Sequence, residues 1–355
     1  MVNIAILIPS LRQGGAEKQA AILATVLDKH YSVDLYLLYG DNPIAPQNQE
    51  LLDKSKVRLH LLYGNIISKV LRLKNELQSN KIDILFNYLT SCDVVGAIAA
   101  RMAGVERVYS GIRNARLEWH KMIADRFAHN HLATATIYNC YSGASYFSSK
   151  GFRKSKNIVI PNGYLDIATP IVREDRTIKH IVTTGRFVPQ KDYHTMIRVI
   201  SRLKEVRQDF VMDIIGYGVE EDNIRKWIKE QGVDEFVNIH IKPDNVQEIV
   251  RDADIYLSTS LFEGTSNSIM EALNWSLPVV ATNVGDNDHL VVNKENGTLH
   301  SIGDVDDMVQ SIIALLDDIN LRNMYGSNGY HLLTNNYSID AFEQRYLQLL
   351  TSRQD

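Results

Sequence analysis

Phe262-Glu263-Gly264-Thr265-Ser266-Asn267-Ser268-Ile269-Met270-Glu271-Ala272-Leu273 stands between two short apolar runs, DIYLS at 254–258 and LPVVA at 277–281. Both runs read as buried strands, the second with its proline at the strand start, where a missing N–H costs no ladder bond. Between them the spacing predicts a polar loop and one helix. Ser266 or Asn267 supplies the capping oxygen, and Ile269, Met270, Ala272 and Leu273 supply the apolar face. The two carboxylates then flank a helix entrance. At 1.5 Å per residue, the eight steps from Glu263 to Glu271 span roughly 12 Å, wider than the roughly 5 to 9.5 Å of a glycosidase pair. This spacing suits two hydroxyl-bearing ends of one long ligand, with a phosphate between them on the free N–H groups of the helix entrance. Glutamates are usually solvated, so one such pair decides nothing alone.

Outward from this stretch, apolar strand runs alternate with amphipathic helical ones. In the first half they fall at 3–9, 33–39, 57–63, 82–86, 107–110, 136–138 and 158–161; in the second they fall at 180–184, 211–216, 237–241, 254–258 and 277–281. Alternation of this kind predicts α/β architecture with parallel sheets covered by helices on both faces. The charged, proline-containing stretch 166–179 reads as a linker, and from Asp304 onward the pattern is helical throughout. The expectation is two doubly wound domains, 1–165 and 166–338, with a ligand cleft at the carboxyl ends of their strands.

At 355 residues, 45% of them hydrophobic, the chain has enough material for two cores. Its apolar runs are strand-sized, short of the roughly 20 residues of a membrane span, and residues 1–10 read as a first core strand rather than a signal peptide. Cys92 and Cys140 form no metal-ligand pattern and read as free thiols in a reducing cytoplasm. The net charge of -4 conceals a division: residues 1–165 carry 20 Lys and Arg against 12 Asp and Glu, whereas 166–355 carry 18 against 30. The opposite signs point to different partners for the two halves, and nothing in either points to nucleic acid.

Two further motifs follow strand ends. Gly14-Gly15-Ala16-Glu17 comes after the first strand and opens a helix, where glycines let a ligand approach the backbone. Gly185-Arg186-Phe187-Val188-Pro189-Gln190-Lys191 follows the first strand of the second half, and its two cations leave that end five residues apart, close enough to share one diphosphate. Gly216-Tyr217-Gly218 ends the next strand, but Glu221 stands where a dinucleotide fingerprint needs its third glycine. Asp252 and Asp254 read as a helix end and a strand start rather than a metal site.

In this order the pieces resemble glycosyltransferase family 4, retaining enzymes with two Rossmann-like domains in the arrangement called GT-B. The resemblance also takes in Ile160-Pro161-Asn162-Gly163 and Pro278-Val279-Val280-Ala281-Thr282, and so spans nearly the whole chain. It implies that Arg186 and Lys191 hold a donor diphosphate, that Glu263 contacts the donor sugar, and that Glu271 takes the ribose hydroxyls. Amides of Gly264, Thr265, Ser266, Asn267 and Ser268 would face phosphate, with Gly14, Gly15 and Gly216 also on the donor and Asn87 and Arg113 on the acceptor side. A C-terminal helix over 339–355 would return to the first domain. Three positions depart from the family pattern. Asn87-Tyr88-Leu89-Thr90-Ser91 stands where a histidine is frequent, Gly285-Asp286 replaces a glycine pair, and His289 replaces an acid.

The implied activity is transfer of a hexosyl or N-acetylhexosaminyl group from a UDP-linked donor to a glycan or lipid-linked saccharide in surface polysaccharide synthesis, without metal or other cofactor. A nucleotide-sugar epimerase and a sugar-nucleotide-binding subunit without catalysis are the alternatives that the residues leave open. The basic first half further predicts peripheral contact with the inner face of the plasma membrane. Arg107, Arg113, Arg116, Lys121, Arg126, Arg153, Lys154 and Lys156 would supply charge, with Trp119 and Phe127 as anchors and Glu118 and Asp125 interrupting the patch.

Overall fold

A computed structural model describes residues 2–113 and 117–352. The chain divides into two compact units, Met1–Gly163 with Ile339–Asp355, and Tyr164–Ser338. Thirteen strands are described: β1 Asn3–Ile8, β2 Ser32–Leu37, β3 Arg58–Leu61, β4 Ile84–Asn87, β5 Arg107–Ile112, β6 Ala135–Tyr138 and β7 Asn157–Val159 in the first unit; β8 Lys179–Arg186, β9 Phe210–Tyr217, β10 Val237–Ile241, β11 Ile255–Ser258, β12 Val279–Thr282 and β13 Gly297–His300 in the second. The last, GTLH, carries no apolar run and was not expected.

The first sheet runs β3-β2-β1-β4-β5-β6-β7 and the second β10-β9-β8-β11-β12-β13, with every pairing parallel. Parallel strands lie under helices on both faces, which is why β1, β4, β6, β11 and β12 are almost continuously apolar and buried. Each sheet winds outward in both directions from its first strand. In such sheets ligands settle where the winding reverses, beyond the carboxyl ends of the two central strands: β1 and β4 in one unit, β8 and β11 in the other.

The register of the second sheet opens that crevice. β8 pairs with β9 along all eight residues, Lys179 to Arg186, but with β11 only at Ile181 and Val182. Beyond that point β8 and β11 separate, and the Tyr256 hydroxyl serves the freed backbone, accepting from Thr184 N at 3.3 Å and donating to Thr184 O at 3.2 Å.

The stretch 166–179 is no free linker. Ala168 N donates to Asn274 Oδ1 and Ile171 N to Ser276 Oγ. The buried Arg173 guanidinium donates to the carbonyls of Ala253, Ser276, Arg251 and Trp275. In the first unit, helix Ile339–Thr351 buries Phe342, Tyr346, Leu349 and Leu350, and its Glu343 pairs with Lys29 and His30 at 2.6 and 2.7 Å.

Candidate functional site

The end of β8 is shaped by close backbone approach. A Cβ on Gly216 would collide with Gly185 O, so β9 lies tight against the strand that delivers Arg186. The chain then turns through Pro189–Lys191 into Asp192, whose backbone is left-handed (φ 46°) and whose carboxylate accepts from Thr195 N to start helix Tyr193–Lys204. That turn brings Lys191 back over the strand end.

The loop after β11 is laced to it. Thr259 Oγ1 donates to the carbonyls of Lys191 and Asp192 at 3.1 and 2.9 Å, Leu261 N to Gln190 O at 2.8 Å, and Gln190 Nε2 to Phe262 O at 2.7 Å. From the other side, Thr282 Oγ1 donates to Ser260 O at 2.6 Å. Gly285, at φ 60°, allows its loop to pass so close to Glu263 O that any Cβ would clash. Held this way, the Glu263 carboxylate accepts from Lys191 Nζ at 2.7 Å and Ser260 Oγ at 2.8 Å.

Ser266 caps helix Asn267–Asn274, its hydroxyl accepting from Ile269 N. Glu271 sits one turn inside, partly buried, and burial holds its carboxyl above the usual range. A ligand that donates hydrogen bonds would relieve that cost. Around these groups lies a cavity of about 350 Å³.

The structure brings together Arg186, Lys191, Glu263, Thr265, Ser266, Asn267, Ser268 and Glu271 as its lining, and adds Thr184, Val188 and Gln190. Arg186 is exposed at its edge. Gly264 is the hinge between Glu263 and that wall, its carbonyl accepting from Asp286 N, while Gly216 shapes the strand ends from outside the lining. The missed Thr184 carries a weak signal, a polar residue just before Gly185 at a strand end. Gln190 carries none, because its role is set by Phe262, 72 residues away.

The remaining positions belong to the first unit. Gly14 precedes helix Gly15–Asp28, with the Glu17 carboxylate lying against it. Asn87 is buried, its amide packed on Gly96 of helix Thr90–Ala103. Arg113 stacks on the Tyr88 ring at 4.6 Å and reaches Tyr346 Oη and Asn162 Oδ1. Of the described residues, His300, Asp304 and Asp307 bring three ligand atoms within 4.8 Å of one another, and none of them lines the cavity.

Two Rossmann-like α/β domains of this kind are the fold of the GT-B glycosyltransferases. The structure of HepE from Anabaena, solved with UDP, superposes with a TM-score of 0.80 over 99% of this chain and 100% of that one, at 18% identity. Residues 169–332, which contain the whole crevice, match the family model of glycosyl transferases group 1. Curated relatives are glycosyltransferases. A lipopolysaccharide core biosynthesis glycosyltransferase, LpsE, of Rhizobium meliloti is 30% identical over 173 residues, 49% of this chain and 50% of that protein, so the match spans half the relative's length. The UDP-Gal:alpha-D-GlcNAc-diphosphoundecaprenol alpha-1,3-galactosyltransferase of Escherichia coli is 21% identical over 81% of each chain.

Proposed function

We propose that the protein is a retaining glycosyltransferase of family 4 that moves a sugar from a UDP-linked donor to a saccharide carried on a lipid. The second unit binds the donor and the first the acceptor. The observation that carries the reading is the convergence of Arg186, Lys191, Glu263 and Glu271 on one cavity at the reversal of the second sheet. The bond between the anomeric carbon and the diphosphate breaks, and one between that carbon and the acceptor oxygen forms. The acceptor proton leaves on the departing diphosphate, whose growing charge is met by Arg186, Lys191 and the amides of Gly264 to Ser268. Glu263 receives sugar hydroxyls and Glu271 ribose hydroxyls. The E. coli relative, which by its name takes a saccharide on diphosphoundecaprenol, supports the lipid-linked acceptor, and such an acceptor would place the protein at the inner face of the plasma membrane.

UDP, GDP and ADP compared by thermal shift test the donor. UDP alone should raise Tm, since 100 times its Kd contributes about 2.7 kcal/mol, and EDTA should leave the shift intact. A shift equal for all three nucleotides, or one abolished by EDTA and restored by magnesium, would overturn the UDP or the metal-free part of the reading.

A further inference from the structure

We infer that a groove in the first unit binds the apolar chain of an anionic, amphipathic lipid. The statement that this chain carries the acceptor rests on the transferase reading; the groove itself does not. A cavity of about 640 Å³ opens at the reversal point of the first sheet, where Pro9 follows β1, Tyr39 follows β2 and Leu89 follows β4. Ile66, at the start of helix Ile66–Ser79, Val94 on helix Thr90–Ala103 and Ala124 on helix Trp119–Phe127 complete a mainly apolar lining, to which Thr90, Ser91, His120 and Lys121 add polar groups.

That lining is a poor match for a sugar. A saccharide buried against its apolar part would leave most of its hydroxyls without partners, at a cost for each, and one of the few lining hydroxyls, Thr90 Oγ1, already donates to Asp125 at 2.7 Å. At its floor Leu89 holds φ 72° and ψ 154°, a region that side chains avoid and that persists where the surroundings enforce it. Here Leu89 N donates to Gly111 O at 3.0 Å.

Charge identifies the other end of the ligand. The Lys69 ammonium lies 4.6 Å above the Tyr39 ring. His120 and Lys121 stand at the opposite wall, and one carboxylate, Glu118, answers both. The bordering helices continue the apolar surface outward through Ile66, Ile67, Trp119 and Ile123, which are 51, 69, 76 and 51% exposed. An apolar slot rimmed by excess positive charge fits a chain that bears phosphate at its head.

Titration of geranyl diphosphate, farnesyl diphosphate and inorganic diphosphate into the full chain, with UDP saturating the donor cavity, tests this. Farnesyl diphosphate should bind roughly tenfold or more tightly than geranyl diphosphate, because the longer chain buries more CH₂ groups, and inorganic diphosphate should not bind. Ile66→Glu places an acid in the first turn of its helix, where it is well tolerated, and Ala124→Trp fills the slot. Each should weaken farnesyl diphosphate at least tenfold while the UDP thermal shift stays unchanged. Affinity independent of chain length, or unaltered in both variants, overturns the groove. A missing UDP shift alongside intact chain-dependent binding, measured without UDP, would remove the donor reading and leave the groove standing.

Discussion

Lys191 and Glu263 are bonded to each other at 2.7 Å, yet the proposed reaction asks one to hold a diphosphate and the other a sugar. An ammonium has three protons, so diphosphate can join the pair without displacing Glu263, and the carboxylate has a second oxygen for a sugar hydroxyl. Glu263→Gln should therefore lower kcat by about 100-fold, the scale of losing one preorganised polar group, with little change in UDP affinity. Glu271→Ala should leave kcat nearer wild type and raise the UDP Kd by about 10- to 100-fold, the worth of charged hydrogen bonds to two hydroxyls. Steady-state kinetics with UDP titration would check the split; equal losses of UDP affinity would count against the assignment. The Lys191–Glu263 bond was not legible in the sequence, since it joins loops 72 residues apart, and neither was the burial of Glu271.

Helix Trp119–Phe127 belongs to two environments. Its outer face exposes Trp119, Ile123 and Phe127. The basic patch around it is smaller than the sequence suggested: Arg107 donates to Leu350 O, Arg113 is engaged with Tyr88 and Tyr346, Lys156 donates to the carbonyls of His129, Asn130 and Ala133, and Arg116 lies outside the described residues. Membrane docking should then depend on the apolar residues more than on charge. Co-sedimentation with anionic liposomes should fall sharply for Trp119→Ala with Phe127→Ala and only moderately in high salt; binding that high salt abolishes outright would contradict this.

The inner face buries Asp125, which accepts from Thr90 Oγ1, and burial pushes its carboxyl up to about 7. Asp93 is raised too, by burial first and the neighbouring Asp125 second. A carboxyl raised in the folded state favours folding while protonated, so the contribution of Asp125 is full at low pH and is lost as pH climbs from about 4 through 7. Asp125→Asn should flatten this fall and raise Tm by a few degrees at pH 8, on the order of 1 kcal/mol or more. Melting curves at pH 5 and pH 8 decide it: an unchanged slope would show that Asp125 does not titrate there.

At the scale of the whole chain, the fold was the most legible part. Strands buried on both faces need unbroken apolar runs, and these marked central strands such as β1, β4, β11 and β12; the edge strands β3 and β10 carry alternating apolar residues, and the edge strand β13, Gly297-Thr298-Leu299-His300, carries neither signal. The stretch 166–179 misled because its arginines look solvated, whereas Arg173 spends its charge on carbonyls from distant segments. The groove of the first unit left no local motif, since its lining is drawn from residues as distant as Pro9, Ile66 and Ala124. Where a helix cap or a cation lies beside its own strand end, sequence suffices; where a site is assembled from remote loops, only the folded chain displays it. No helix among the described residues is long and apolar enough to cross a membrane.

The second unit begins and ends at a single point. Tyr164 N donates to Tyr337 O at 2.7 Å, and Tyr164 bridges Ser338. A domain whose first and last residues are already tied together needs no help from its host to close. Residues 164–338 thus form a natural cassette, inserted into the first unit as a loop is inserted into a scaffold. On the proposed division of labour, exchanging that cassette for one from a relative, cut at the same two peptide bonds and keeping the Tyr164–Tyr337 clasp, should carry the relative's nucleotide response into the chimera, read as its Tm shift with UDP, GDP and ADP; a chimera that keeps the original response would count against that division.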